Sequence, residues 1–389
     1  MKFMHLADLH IGKRVNEVDL LPDQKDMLEQ ILRMAREERP DCVLIAGDVY
    51  DKTVPSSAAV TVLDAFLTGL ARIPVPVCLI SGNHDSPERL QFGSRHMEEQ
   101  GIFIASVFDG TMKKVTFSDA FGPVHVYLLP FVRPAQVRAF APEGTEIDTY
   151  EEAVRLVLAQ TPPDPAARNV LVAHQFVTAA GAEPELSDSA VSGIGGLDRV
   201  DSRLFDAFDY VALGHLHGPQ QAGRSEVRYA GSPLKYSFSE ARQKKGVTFV
   251  ELGEKGSGPM IRRREGIPLH DMRVIRGPLE ALCSPEVSER ENREDYLRVV
   301  LTDEKEILDA IGRVRRVYPN VMELAFDRAD REEAGRRAEE AFAAQLQSPP
   351  ELFELFYERQ NGCEMEAAQR ELLKEIWEDL GEQAGGREQ

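Results

Sequence analysis

Short apolar runs alternate with stretches of helical spacing through the first half of the chain. The run FMHLADLH (3–10) predicts a strand, and Met27, Leu28, Ile31, Leu32 and Ala35 then fall on one helical face. CVLIAGD (42–48) predicts a second strand, followed after Pro55 by a helix that Ser56 or Ser57 is placed to cap. VPVCLISGNHD (75–85) predicts a third, and SPERLQFGSRHMEEQ (86–100) opens with Ser-Pro, the order suited to an N-cap and a first helical position. Strand, helix, strand, helix predicts parallel pairing with helices on the faces of a sheet. Further along, VHVYLLPFV, NVLVAHQF, YVALGHLH, VRYAGSP and GVTFVEL have shorter connections between some of them, which predicts a second sheet, mixed or partly antiparallel.

The pattern changes near Gly266. Strand DMRVIRG (271–277), strand YLRVVLT (296–302), helix EKEILDAIGRVRRVY (304–318) and strand VMELAFD (321–327) predict a small α/β unit. Beyond Asp330 the chain turns rich in Ala, Glu, Arg and Gln, with helical stretches broken at Pro349 and Pro350 and a glycine-rich end. The expected organisation is a first domain over 1–265, a small α/β domain over 266–330 and a helical tail over 331–389. In that polar tail, Leu352, Phe353, Leu355, Phe356 and Tyr357 concentrate into one apolar stripe, suited to packing on its own domain or on a partner helix.

Composition narrows the class without naming a function. At 42% hydrophobic and 29% charged the chain reads as globular, and no run approaches the ~18 apolar residues of a membrane span. His5, Asp8 and His10 interrupt the stretch where a signal peptide needs an apolar run, so a cytoplasmic protein is expected. Cys42, Cys78, Cys283 and Cys363 form no C-x-x-C pair, which favours buried thiols over a disulfide framework or zinc ribbon. The net charge of −19 opposes any reading that needs phosphate neutralisation by the chain's own surface. Part of that excess is local, since Arg331 to Gln389 holds 7 basic and 15 acidic residues.

The polar clusters follow the apolar runs. Asp8 and His10 come after the first, Asp48 after CVLIAG, Asn83 and His84 after VCLIS, His174 after NVLVA, and His215 and His217 after YVALG. Ligands of open α/β sheets sit beyond the carboxyl ends of the strands, so these segments are expected to meet in one crevice. A lone strand-end histidine is more often structural, but five of the nine histidines fall in such positions. Asp8, His10, Asp48, Asn83, His174, His215 and His217 offer imidazole, carboxylate and amide donors with no thiolate. Such a set suits two borderline divalent cations, Mn²⁺, Fe²⁺ or Zn²⁺ rather than Ca²⁺, with Asp48 able to bridge them. In D-x-H and H-x-H, alternate residues of an extended segment face the same side. Gly47, Gly82 and Gly214 precede donors, as expected where the chain turns sharply or a bound phosphate nears the backbone.

The ordered series D-x-H (Asp8, His10), G-D-x-x-D (Asp48, Asp51), G-N-H-D (Asn83, His84, Asp85), lone His174 and G-H-x-H (His215, His217) resembles the calcineurin-like metallophosphoesterase superfamily. LADLHIGK, GDVYDKTVPS, LLPFVRP, VALGHLH and YAGSPLKYSFSE resemble, more narrowly, its branch of bacterial DNA-repair nuclease subunits. The resemblance implies an α/β fold: a four-layer metallophosphoesterase sandwich with a small α/β capping domain and a helical C-terminal tail. It also implies two divalent metal ions, Mn²⁺ above others. Asp8, His10, Asp48 and His217 would hold one, and Asp48, Asn83, His174 and His215 the other. His84 matches the catalytic histidine, a candidate general acid for the leaving oxygen. Asp51 and Asp85 are candidates to support the site from behind, with turn residues an even alternative.

The implied activity is 3′ to 5′ exonuclease action on double-stranded DNA and endonuclease action on single strands or hairpins, in repair and recombination. The implied partners are DNA, an ATPase subunit of the SbcC type that docks on the tail stripe, and a second copy of the chain through the helices at 56–71 and 87–100. An attached ATPase would also account for the acidic total. Lys13, Arg14, Lys52, Arg89, Lys235, Lys244 and Lys245 lie near the motif loops as candidates to meet phosphates, with solvated surface at least as good a reading of each. The rival readings are a small-molecule or cyclic-nucleotide phosphodiesterase of the same fold, and a non-catalytic scaffold whose metal is structural.

Overall fold

The computed structural model describes residues 1–179, 184–185, 187–188, 198–303, 305, 307–327, 353–354, 357 and 365–373. Two six-stranded sheets face one another. The first runs in the order Pro259–Glu265, Gly246–Leu252, Lys2–Leu6, Cys42–Ala46, Val77–Ile80, Ile102–Ala105. Its last four strands are parallel and its first two antiparallel. The second runs Gln220–Ala222, Arg224–Tyr229, Tyr210–Gly214, Arg168–His174, Gly122–Leu129, Lys113–Asp119, with four central parallel strands between antiparallel edges.

The alternation of side chains along each strand builds the layers. Phe3, Cys42, Leu44, Cys78 and Ile80 turn inward to meet Val124, Val126, Leu128, Val170, Val172 and Ala212 of the other sheet. Met4, Leu6, Val43, Ile45 and Leu79 turn outward onto the helices Leu21–Glu38 and Ser57–Ala71, through Met27, Ile31, Leu63 and Phe66. Leu129, Leu171, Val211 and Leu213 meet Val154 and Val157 of the helix Tyr150–Gln160 on the opposite outer face. Strands covered on both faces need apolar residues at every position, which is why they read as unbroken apolar runs. The Ser57–Ala71 helix begins as expected, with the Ser56 hydroxyl accepting from Ala59 N–H at 3.2 Å.

Three features differ from the pattern reading. Gly246–Leu252 joins the first sheet, antiparallel to Lys2–Leu6, and so extends that sheet rather than the second. Residues 87–100 form two short helices, Pro87–Gln91 and Ser94–Glu98, because Phe92 leaves helical geometry and Gly93 takes φ +74°. The helix expected over 304–318 is Ala310–Arg315 among the described residues, preceded by Asp309 at φ +52°.

The chain divides into two compact units. One comprises Met1–Ile275, Leu282–Val299 and Asp309–Glu323, the other Arg276–Ala281, Val300–Leu308 and Leu324–Gln389. Met272–Gly277, Tyr296–Leu301 and Val321–Phe326 form a three-stranded sheet in that order. Within the second unit, Leu279 N–H donates to Asp303 at 2.8 Å, and Gln369 donates to the Tyr357 hydroxyl at 3.2 Å. Of the tail stripe, Phe353 is 44% exposed and Tyr357 half-buried, while Leu352, Leu355 and Phe356 lie outside the described residues. Among the described residues no helix is long and apolar enough to cross a membrane.

Candidate metal centre

The strand-end residues gather at one end of the facing sheets. Asp8 and His10 follow Lys2–Leu6, Asp48 follows Cys42–Ala46, and Asn83 and His84 follow Val77–Ile80, all in the first sheet. His174 ends Arg168–His174, and His215 and His217 follow Tyr210–Gly214, in the second. These are the carboxyl ends of parallel strands in both sheets. Backbone bonds join the loops, with Asp8 N–H donating to the Gly47 carbonyl at 3.1 Å and His10 N–H to that of Asp48 at 2.9 Å.

Each central carboxylate divides its oxygens between backbone and crevice. Asp8 Oδ1 accepts from His215 N–H, and Asp48 Oδ1 from His84 N–H, both at 2.9 Å. Asp8 Oδ2 is buried with no hydrogen-bond partner. Asp48 Oδ2 lies 3.5 Å from His10 Nε2 and 3.3 Å from His174 Nε2. On one side His10 Nε2 meets His217 Nε2 at 3.0 Å; on the other, Asn83 Oδ1 lies 3.1 Å from His174 Nε2 and 2.9 Å from His215 Nδ1. The donor atoms of Asp8, His10 and His217 fall within 4.8 Å of one another, and so do those of Asp8, Asp48 and His174.

This arrangement fits divalent cations on grounds of its own. His174 Nδ1 faces the Ala46 carbonyl at 2.8 Å while its Nε2 faces two oxygens, so both ring nitrogens meet acceptors and a neutral ring cannot satisfy both. Burial works against charge on His174, yet the Asp48 carboxylate raises it to about 9. A proton thus occupies a place that a metal can take. Burial lowers His10 well below the ordinary imidazole range and His215 to about 3, and it raises Asp8 to about 6. Burial also opposes charge on Asp48, but His174, His10 and His84 hold it far below the usual carboxylate range. A buried carboxylate oxygen without a partner and imidazole nitrogens facing one another are costly unless a cation joins them.

The backbone is bent to achieve this. Asp8, His10, Asp48 and His215 have φ of 52°, 43°, 48° and 104°, a region that side-chain-bearing residues seldom enter. The glycines serve different ends. Gly47 supplies a turn at φ +81°, whereas a Cβ on Gly82 would stand 2.1 Å from Asp48 Oδ1 and 2.3 Å from Asp48 N. Gly82 is therefore excluded from carrying a side chain by the protein's own close packing, without recourse to a bound phosphate.

His84 stands beside the cluster, its ring edge-on to His10 with centroids 4.8 Å apart. Its Nδ1–H donates to the Asp51 carbonyl at 3.0 Å, which assigns the proton to Nδ1 and the lone pair to Nε2 in the neutral ring. The Asp51 carboxylate pairs with Lys13 at 2.8 Å and lies 3.7 Å from His10 Nδ1. Asp85 does not touch His84's ring. It accepts from the N–H groups of Val49, Tyr50 and Gly82 at 3.0, 2.9 and 2.9 Å and so braces the loop that carries Asp48. Burial, then the nearby Asp48 charge, raises Asp85 to about 6 against those three bonds.

Two of the basic candidates are committed inside the protein. Lys245 is buried and pairs with Glu240 at 2.5 Å; Lys235 donates to the Ala241 carbonyl at 2.8 Å and pairs with Asp271 at 2.9 Å. Sequence reasoning also missed Tyr236 and Glu240. The Tyr236 hydroxyl donates to the Leu9 carbonyl at 2.6 Å while its ring stands edge-on to His10 and His217. Both residues lie in the run YAGSPLKYSFSE, but no spacing there indicates which atoms they would face.

Two family models match separate parts of the chain. Residues 1–219 match the family model described as calcineurin-like phosphoesterase, and residues 268–361 that described as type 5 capsule protein repressor C-terminal domain. The chain is 31% identical over 381 residues to the SbcD component of the nuclease SbcCD of Staphylococcus epidermidis, covering 97% of this chain and 98% of the relative. Among solved structures, a dimetal phosphatase from Danio rerio aligns at 14% identity over 69% of this chain and 96% of its own, with a TM-score of 0.39. TT1561 of Thermus thermophilus aligns at 13% identity over 67% and 98%, with a TM-score of 0.39.

Proposed function

The chain belongs to the calcineurin-like phosphoesterase family and, within it, to the SbcD nuclease subunits; from that premise we propose that it is a metal-dependent DNA nuclease whose two cations sit at the strand-end cluster. The observation that carries this reading is the meeting of Asp8, His10, Asp48, Asn83, His174, His215 and His217 from both sheets, with His84 beside His10 and Asp48. Asp8, His10, Asp48 and His217 would hold one cation, and Asp48, Asn83, His174 and His215 the other. When bound, two divalent ions, Mn²⁺ in this proposal, supply Lewis acidity toward a phosphodiester and a water nucleophile active at neutral pH. The chain does the rest. Asp48 fixes the spacing between the two donor sets, and Asp85 holds the loop that carries it. His84, turned by the Asp51 carbonyl, presents Nε2 to the departing oxygen; in its doubly protonated form it would pass the Nε2 proton to that oxygen and be left as the neutral ring with its proton on Nδ1.

The same proposal covers the partners and domains. DNA is the substrate, with exonuclease action on duplex ends and endonuclease action on single strands and hairpins. Leu352, Phe353, Leu355, Phe356 and Tyr357 form the docking stripe for an SbcC-type ATPase. A second copy of the chain docks on the apolar groove of about 570 Å³ lined by Val60, Leu63, Leu67, Leu90 and Met97, where Phe92 is 85% exposed. The proposed division is a nuclease domain over 1–265, a capping domain over 266–330 and a tail over 331–389; the separate family matches to 1–219 and 268–361 support a change between residues 219 and 268 and do not bear on the boundary at 330.

The reading is tested by digesting a labelled DNA hairpin with the purified chain, with and without its ATPase partner, across Mn²⁺ concentrations. Cleavage that requires Mn²⁺ is expected. Turnover of a small phosphodiester with no cleavage of DNA in any combination would replace DNA with a small-molecule substrate.

Metal uptake should also be acid-sensitive. His174 is raised to about 9 in the metal-free fold, so below that pH it must release a proton before its Nε2 can bind a cation. Calorimetry in buffers of different ionisation enthalpy should detect proton release on Mn²⁺ binding at pH 7.5, and affinity should fall from pH 8 to pH 6. Affinity independent of pH over that interval would mean that His174 holds no proton for a cation to displace.

A further inference from the structure

Behind His217 lies a buried charge pair to which the two-cation reading assigns no task. Glu240, in the turn Phe238–Glu240, is fully buried and sets Oε1 3.4 Å from His217 Nδ1. Its Oε2 lies 2.5 Å from Lys245 Nζ. Lys245 is itself buried and donates to the His217 carbonyl at 2.7 Å, to the Ser232 hydroxyl at 2.9 Å and to Gln243 Oε1 at 2.9 Å. Ring and backbone of His217 are thus gripped from one side while its Nε2 faces His10 on the other.

A buried ion pair is a weak device for stability alone, because desolvating two charges offsets most of their attraction. It gains a purpose where one partner also acts on a metal-facing ring. With a carboxylate at Nδ1, the proton of His217 is kept on that nitrogen, and the lone pair of Nε2 points into the crevice with Asp8 and His10. The negative charge behind the ring strengthens Nε2 as a donor. Lys245 balances Glu240 while the crevice carries no cation, so the carboxylate can remain ionised in the core.

We propose that Glu240 is a positioning residue for the metal centre, acting through His217, and that Lys245 is its counter-charge. The proposal rests on His217 being a cation donor. Arg262, Arg263 and Arg264 offer no comparable pair, since their strand lies at the edge of the first sheet and turns its charges to Glu37, Glu38 and the Lys244 carbonyl.

The test compares the intact chain with Glu240→Gln and with Glu240→Gln combined with Lys245→Met. Free Mn²⁺ is counted by electron paramagnetic resonance, and stability is followed by urea denaturation without metal. Glu240→Gln should bind Mn²⁺ roughly 10- to 100-fold more weakly, with hairpin cleavage recovering toward the unmodified maximal rate as Mn²⁺ is raised. The double variant should regain the stability lost when Lys245 is left unpaired, yet keep the weak Mn²⁺ binding. Unchanged affinity in Glu240→Gln, or affinity restored together with stability in the double variant, would reduce the pair to a packing feature. If Glu240→Gln fails to fold, the double variant decides alone. An unmodified chain that binds no Mn²⁺ would instead overturn the cation site itself.

Discussion

His84→Ala is expected to slow DNA cleavage by about 10²- to 10⁴-fold while leaving Mn²⁺ binding intact, the range that loss of a positioned proton donor produces. The two effects separate because the contact between residue 84 and the carboxylate of Asp48 is made by the backbone N–H, which substitution of the ring preserves. The ring itself is held by a single bond to the Asp51 carbonyl, at the rim of the cluster. His84→Gln should be as slow as His84→Ala, since an amide can hydrogen-bond but cannot pass a proton near neutral pH. Cleavage should be measured under single turnover alongside Mn²⁺ affinity. A variant that loses both metal and cleavage would make His84 a metal donor, consistent with its closeness to His10 and Asp48. One that cleaves at the normal rate would leave the leaving oxygen to be protonated by solvent.

Gly214→Ala should be comparably damaging for a purely steric reason. A Cβ there would stand 1.9 Å from the Ala46 carbonyl oxygen and 2.7 Å from His174 Nδ1. The first obstacle is backbone of the facing sheet, so the two strand ends must separate, at a cost of about 1–3 kcal/mol or more. That separation would also pull His215 and His217 away from Asp8 and His10. The expected result is a lower urea midpoint, together with loss of Mn²⁺ binding. Gly253→Ala is the control, because its Cβ meets only the movable Ser257 hydroxyl at 3.1 Å. Full metal binding by Gly214→Ala would mean that the sheets tolerate separation and that the crevice does not depend on their spacing.

The strands and the residues that meet at their ends were legible in the sequence for one shared reason. A strand buried on both faces must be apolar throughout, so a polar residue at its end stands out, and Asp8, Asp48, Asn83, His174 and His215 all do. What could not be read depends on partners distant in the chain. GVTFVEL has the composition of a strand, but nothing in it says that its neighbour is the first strand of the chain rather than the preceding hairpin. Lys245 has the sequence context of a surface lysine, and only the fold encloses it with Glu240. Phe92-Gly93 divides what the helical spacing joins, because one φ of +74° outweighs the surrounding propensity. The left-handed backbone at Asp8, His10, Asp48 and His215 leaves no trace in residue type, since aspartate and histidine occur there for their chemistry and the fold bears the strain.

The two halves of the crevice are also far apart in time. His10 and His217, whose ring nitrogens meet at 3.0 Å, are separated by 207 residues. A ribosome adding about 5–20 residues per second needs roughly ten to forty seconds to make the second after the first. During that interval Asp48, Asn83, His174 and His215 are made in turn, and the strand Gly246–Leu252 that pairs with Lys2–Leu6 comes later still. The growing chain is thus unable to complete the crevice until its last histidine has been made and folded, a delay set by chain order alone.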